Sequence, residues 1–373
     1  MEIETIRAEF PVTENYAYLN HASTGPLPRS TAEAMKGLIE GRSRMGGVAL
    51  ESGEEIRDRA RKTFASLINA RFHTEIALTR NTSHGLNIVA ASLPWEEGDN
   101  VICARSEFPA NVYPWINLKR KGVEVRMIDL VDNRISIDDI AKAIDEKTKL
   151  IALSFVEFAT GYRNDLAALA ELSRDKNVLL TIDAIQGLGV FPVDVQSTPV
   201  DFLSCGTAKW LLGPVGFGFL YIRQERIELL DRVMSGWKGV EDWSDFFRYD
   251  SPFRNDAVRY EEGSMPPVFM LGATKSVELL LKQGIEGISE RVLHLTDHLL
   301  HGLEEKGLQV ITPHQHESER SGIVSFIPRD DPAEVSSRLT KAGVIVSQRG
   351  RFIRVSPHFY NTEEEIDRLL ALV

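Results

Sequence analysis

The chain has 373 residues, 43% of them hydrophobic and 26% charged, with a formal net charge of −11 at pH 7. That length allows one large core and a smaller second one, and the acidic balance argues against non-specific attraction to nucleic acid or to an anionic membrane. No window approaches the roughly 20 apolar residues of a membrane span; the start, MEIETIRAEFPVTENYAYL, does not read as a secretory signal, and the two cysteines, Cys103 and Cys205, lie in apolar runs that suit a reducing compartment, so a cytoplasmic protein is expected.

In chain order, short apolar runs at Glu75–Leu78, Asn100–Cys103, Glu124–Ile128, Leu150–Phe155, Val178–Ile182, Phe202–Cys205 and Gly216–Ile222 predict buried strands. Amphipathic stretches such as Ile137–Ala143 and Leu166–Asp175 lie between them. The alternation predicts an α/β fold whose sheet is mostly parallel, with helices on both faces. Ligands in such sheets bind beyond the carboxyl ends of the strands, so the residues just after each run are where chemistry is expected. Val240–Arg259 reads as a long loop near a domain boundary. From Met265 the texture changes. Helical patterns at Phe269–Gln283, Ile288–Lys306 and Pro332–Ala342, with strand-like runs at Gly322–Ile327, Val344–Ser347 and Phe352–Ser356, predict a smaller α+β domain. The expected division is 1–264 and 265–373.

Three places combine reactive residues with strand ends. In VLLTIDAIQG, residues 178–187, a strand runs into Asp183, with Gln186 three residues later. A carboxylate there is costly to bury unless a cation meets it, and a protonated ring nitrogen would serve; a strand-end Asp capping a following helix is the alternative. In DFLSCGTAKWLLGPVGFGFLYI, residues 201–222, Lys209 follows a strand among small and apolar neighbours. Desolvation there favours the neutral, nucleophilic amine, and an ordinary loop lysine is the alternative. In EIALTRNTSHGLNIVAASL, residues 75–93, Thr82 and Ser83 stand where a strand gives way to a helix; they suit a phosphate, or plain N-capping.

Together these segments resemble the class V aminotransferase family of pyridoxal-phosphate (PLP) enzymes, which includes cysteine desulfurases and isopenicillin-N-epimerase-like proteins. The likeness runs over nearly the whole chain. YLNHASTGPLP, residues 18–28, is similar to the family's N-terminal segment lining the substrate site, which points to His21 and Ala22. NTSHGLN is similar to its phosphate-binding turn, and SEFPANVYPW, residues 106–115, to the segment whose residue after the Glu, here Phe108, stacks on the pyridine ring. The resemblance implies the PLP-dependent transferase fold (fold type I), with Lys209 as Schiff-base lysine and acid/base, Asp183 on the ring nitrogen and Gln186 near the ring oxygen. It implies a homodimer in which Ser264, in RYEEGSMP, reaches the neighbouring subunit's phosphate. Arg354, in RFIRVSPHFYN, falls where the family grips the substrate carboxylate, and two parallel hydrogen bonds to a carboxylate are what a guanidinium supplies.

The chain departs from the family in four ways. Ala208 replaces the His, Gln or Arg usual before the lysine, so Thr207 is expected to help hold the phosphate. Phe108 stands where desulfurases often have His, and Phe158 where Asn is common. The stretch GVIVSQRGRFIR, residues 343–354, is short and lacks the loop cysteine of desulfurases. The expected activity is therefore amino transfer from an amino acid or related amine. A C–S or other β-eliminating lyase, a desulfurase-like enzyme, an epimerase and a non-enzymatic PLP-binding module are the alternatives. Epimerisation commonly needs a second base, which Phe108 does not supply. His294, His298, His301, His314 and His316 are expected to be solvated residues rather than metal ligands, and Trp237 suits pocket lining or interface core equally.

Overall fold

Seven apolar runs become the strands of one sheet in the computed structural model, which describes residues 3–48 and 53–373. After a two-residue strand β1, Ala17–Tyr18, come β2 (Ile76–Thr79), β3 (Asn100–Ala104), β4 (Glu124–Ile128), β5 (Thr148–Ser154), β6 (Leu179–Asp183), β7 (Phe202–Gly206) and β8 (Gly218–Ile222). The sheet order is β2-β8-β7-β6-β5-β3-β4. Every pairing from β7 to β4 is parallel, and β8 runs antiparallel to both β7 and β2. The central strands β5, β6 and β7 are mostly apolar and buried along nearly their whole length, whereas edge strand β4 carries the exposed Glu124. The carboxyl ends of β2, β6 and β7 deliver Thr79, Asp183 and Gly206 to one rim.

One glycine sets how closely a helix approaches this rim. A Cβ on Gly85, in helix Thr82–Ser92, would lie 2.2 Å from Ser204 Oγ on β7. The bare backbone lets the first turn of the helix sit against the strand that leads to Lys209.

Two long helices, Arg29–Met45 and Gly53–Leu67, have no counterpart in the strand-and-helix reading of the sequence. The first buries little beyond Thr31, Leu38 and Gly41, so its apolar stripe is too thin to show as a period. Both pack on helix Pro267–Gln283.

The remaining strands are β9 (Gln309–Val310), β10 (Val324–Ile327), β11 (Val344–Ile345), β12 (Ser347–Arg349) and β13 (Phe352–Val355). Four form an antiparallel sheet in the order β12-β13-β10-β9, while β11 pairs with β1 instead, so the predicted strand Val344–Ser347 serves two sheets. Helices Ile285–Glu305, Pro332–Lys341 and Glu363–Leu370 cover them. The last opens with a reciprocal cap between Thr362 and Glu365.

Relative to the expected line at 264/265, Met270, Ala273, Val277 and Leu280 belong to the core of the large sheet. The smaller core starts with Leu295 and also takes Ala17 and Leu19 from the N-terminal segment. No helix among the described residues is long and apolar enough to cross a membrane.

Candidate active site

The first turn of helix Thr82–Ser92 forms one end of the site. Asn81, not Thr82 or Ser83, is the N-cap: its side-chain oxygen accepts the His84 N–H at 2.8 Å. Thr82 and Ser83 are the first two helical residues, whose N–H groups have no intrahelical acceptor. Thr82 Oγ1 accepts the Gly206 N–H at 2.9 Å, which leaves its own proton to give. Thr207 is a correction. Its hydroxyl faces the carbonyls of Pro214 at 2.9 Å and Phe217 at 3.1 Å, so its single proton is spent on the following turn rather than on a phosphate.

Lys209 and Asp183 meet at the strand ends. Burial lowers the Lys209 amine to about 8, and the Asp183 charge opposes that shift. Burial pushes Asp183 up to about 6. Its Oδ1 accepts the Ile185 N–H at 3.0 Å, and residues 185–190 form a turn rather than a helix, which removes the helix-cap alternative. The other oxygen has no hydrogen-bond donor among the described residues. Phe108 is 44% exposed, stands edge-on to Phe158 with 5.2 Å between ring centroids, and has its centroid 5.4 Å from Lys209 Nζ. Gln186 is tied down at both ends of its amide: it donates to Ala22 O at 3.0 Å and accepts from Trp210 Nε1 at 2.8 Å. One amide hydrogen remains for a ring oxygen.

Two acids unassigned in the sequence reading stand behind Asp183. Glu107 accepts both the N–H of Ser154 at 2.6 Å and its hydroxyl at 2.5 Å, and Ser154 is the register partner of Asp183. Glu157 accepts from Ser106 Oγ at 2.7 Å and from Asn164 at 3.2 Å. Burial pushes Glu157 up to about 7, and burial with the neighbouring Glu157 pushes Glu107 well above the usual carboxylate range.

The opposite wall comes from the N-terminal segment and the β12–β13 hairpin. Arg354 is buried, with Nη1 on Phe158 O at 2.7 Å, Nη2 on Ser23 Oγ at 2.8 Å, and Nε without a partner. Burial first, and then Arg349, lower its guanidinium to about 9. Arg349 donates to the same Ser23 oxygen at 3.1 Å. Sharing that oxygen brings the two guanidinium groups close enough to repel each other.

His21 is a second correction. It is fully buried, its Nδ1 lies 2.9 Å from Ser356 O and its Nε2 2.7 Å from the Tyr360 hydroxyl. Both ring nitrogens are occupied, so it anchors the segment and has nothing to offer a substrate. Ala22 is also buried; its backbone bridges Ser356 Oγ at 3.0 Å and Gln186. The residue of this segment that faces the arginines is Ser23.

Ser264 is exposed, at the end of a braced stretch. Buried Glu261 is clamped by Arg61 at 2.6 Å and Arg57 at 3.5 Å, and Arg57 also holds Gly263 O at 2.9 Å. Trp237 is 43% exposed and clusters with Trp243 and Phe246. His294 and His298 are paired with Glu363 at 2.9 Å and Asp367 at 2.6 Å. Among the described residues no three His, Cys, Asp or Glu side chains converge as a metal site.

The family model described as Aminotransferase class-V matches residues 17–369. The chain belongs to the class V aminotransferase family. This class V protein is 30% identical to a probable cysteine desulfurase of Methanothermobacter thermautotrophicus, over 99% of this chain and 96% of that one. It is 30% identical to the uncharacterized aminotransferase YcbU of Bacillus subtilis, over 97% of this chain and 95% of that one. Among solved structures, a mutant of C-DES with glycine covalently linked to its PLP cofactor superposes with a TM-score of 0.89, at 22% identity and over 98% of each chain. The class V protein is a PLP-dependent enzyme of fold type I.

The site fits that cofactor. Asp183 is a buried carboxylate with an unpartnered oxygen, Lys209 is a desolvated amine, and the helix at Thr82 offers unspent N–H groups. Gly206 keeps the floor between them low: a Cβ there would come within 3.2 Å of Thr82 Oγ1.

Proposed function

We propose that this enzyme is an aminotransferase acting on an amino acid or a related amine. PLP, when bound, supplies an electron sink for negative charge developing at the substrate α-carbon. The first-turn N–H groups of Thr82 and Ser83 would hold its phosphate, Phe108 would cover one ring face, Gln186 would reach the ring oxygen and Asp183 would keep the ring nitrogen protonated. Lys209 would carry the cofactor as a Schiff base. Arg354 takes the substrate carboxylate and fixes the orientation of the α-carbon. Lys209 Nζ then removes the α-proton and passes it on, work suited to an amine whose affinity lies near neutrality. Ser264 reaches toward a neighbouring subunit's phosphate in a homodimer, and the two buried free thiols suit a cytoplasmic setting.

The observation that favours amino transfer over persulfide formation is where the sulfur lies. Cys103 and Cys205 are both buried in strands of the central sheet, and burial pushes both thiols well above their ordinary range. Neither can act as an exposed thiolate nucleophile. Elimination is the second reading: a probable cysteine desulfurase stands among the relatives, and Lys209 alone suffices as its base.

Single-turnover product analysis of the loaded enzyme separates the two. Amino transfer gives a keto acid and aminated cofactor in equal amounts. Pyruvate with released sulfide or thiol from cysteine or cystine, and no aminated cofactor, would replace this reading with elimination.

A further inference from the structure

We propose that Arg349 forms a second anion subsite beside Arg354, so that the preferred substrate carries an acid group on its side chain, as a dicarboxylic amino acid does. The inference rests on the reading of this site as one that binds an amino acid.

The β12–β13 hairpin sets up the pair. Ser347 lies opposite Arg354 and Arg349 opposite Phe352, which places Arg349 and Arg354 as diagonal neighbours on one face of the ladder. Ser23, from the far end of the chain, comes down between them, its oxygen 2.8 Å from Arg354 Nη2 and 3.1 Å from Arg349 Nη2. Two charged donors occupy the hydroxyl's lone pairs, so its proton is free to point at an anion.

Neither arginine has a carboxylate within ion-pair distance among the described residues. Burial and Arg349 both act against the charge of Arg354, and its hydrogen-bond acceptors are a neutral carbonyl and a neutral hydroxyl. Elsewhere the fold handles buried arginines differently: Arg57 and Arg61 converge on the buried Glu261. Here two cations converge on a neutral hydroxyl instead. Arg354 Nε is unpartnered, and Arg349 otherwise meets only the carbonyl of its neighbour Gln348, at 3.3 Å. The charges of both also reach Lys209 and help to lower its amine. A substrate α-carboxylate neutralises one guanidinium. A second acid group neutralises the other and removes the like-charge repulsion, which a neutral side chain cannot do.

The rival arrangement is a single carboxylate gripped by both arginines. Calorimetric titration of the PLP-loaded protein with unreactive acids of matched length, succinate against butyrate and glutarate against valerate, decides between them without turnover. The diacids are expected to bind at least tenfold more tightly, and R349Q is expected to collapse that ratio toward one, with R349K restoring part of it. Equal binding of diacid and monoacid overturns the proposal. So does R349Q weakening both equally, because Arg349 would then belong to the α-carboxylate grip alone. Product analysis with aspartate and glutamate against asparagine and glutamine separates the two readings. A protein that selects diacids but transfers no amino group keeps the subsite and loses the aminotransferase; one that transfers amino groups without diacid selection does the reverse.

Discussion

Glu107 holds both the N–H and the hydroxyl of Ser154, and Ser154 is the residue paired in register with Asp183. Through that one serine, a buried acid pair is built into the strand ends that carry Asp183. Three acid groups thus act on one another, and the Lys209 charge opposes the upward shift of Asp183.

The acid pair makes the cofactor-free protein sensitive to alkali. Glu157 is raised from an ordinary 4.5 to about 7 in the folded state. A carboxyl raised on folding contributes stability that is complete below its unfolded value and is lost as pH climbs through the folded one. Between pH 5 and 8 that loss reaches about 3 kcal/mol at most. Glu157→Gln keeps the group neutral at every pH. Its Tm should fall clearly less between pH 6 and 8 than that of the parent protein. An unchanged pH slope would show that Glu157 is already ionised at pH 6.

Lys209 gives a prediction in the same range with the opposite sense. Its amine is lowered to about 8, chiefly by burial, so at pH 7 about a tenth of it is neutral, against well under a thousandth for an unperturbed lysine. The rate at which cofactor-free protein takes up PLP, followed by visible absorbance, should rise with pH and level off just above 8. Borohydride should then fix the label to Lys209, and Lys209→Ala should neither take the label nor turn over. A rate still climbing steeply at pH 10 would mean that the amine is solvated.

The parts of this site that were legible in the sequence are those built from one continuous segment. Asp183 and Lys209 stand directly after apolar runs, and a strand buried on both faces announces itself by composition alone. The misread parts depend on distant partners. His21 looks free until Ser356 and Tyr360 close on it, and Thr207 looks like a phosphate ligand until the turn at 213–218 folds back to take its proton. Ser23 and Arg349 meet only because β1, a mere two residues long, pairs with β11 more than 300 residues later, which no local pattern signals. Glu157 carries no signal of its own in the sequence, because one of its hydrogen-bond partners, Ser106, comes from a distant segment.

Gly85 offers a structural test of the phosphate end. Alanine there would drive a methyl to 2.2 Å from Ser204 Oγ and 3.0 Å from its Cβ. The helix must lift, at a cost of roughly 1–3 kcal/mol, and its first turn moves with it. Gly85→Ala should lower the urea midpoint and weaken PLP binding together. Adding Ser204→Ala removes the hydroxyl that clashes and should recover part of both. A stability loss with unchanged PLP affinity would detach the phosphate site from this helix.

Arg354 separates carboxylate recognition from cofactor chemistry. Lysine preserves the charge but not the planar fork, and it cannot keep both the bond to Phe158 O and a two-point grip on a carboxylate. Losing one charged hydrogen bond should raise the KM for the amino acid roughly 10- to 100-fold. The visible spectrum of the loaded protein and its borohydride labelling at Lys209 should be unaltered, as expected of a residue proposed to grip the substrate and not the cofactor. Simple amines without a carboxylate should react at similar rates with parent and Arg354→Lys. If they slow as much as amino acids do, the arginine is holding the hairpin and Ser23 in place, and the carboxylate is bound elsewhere.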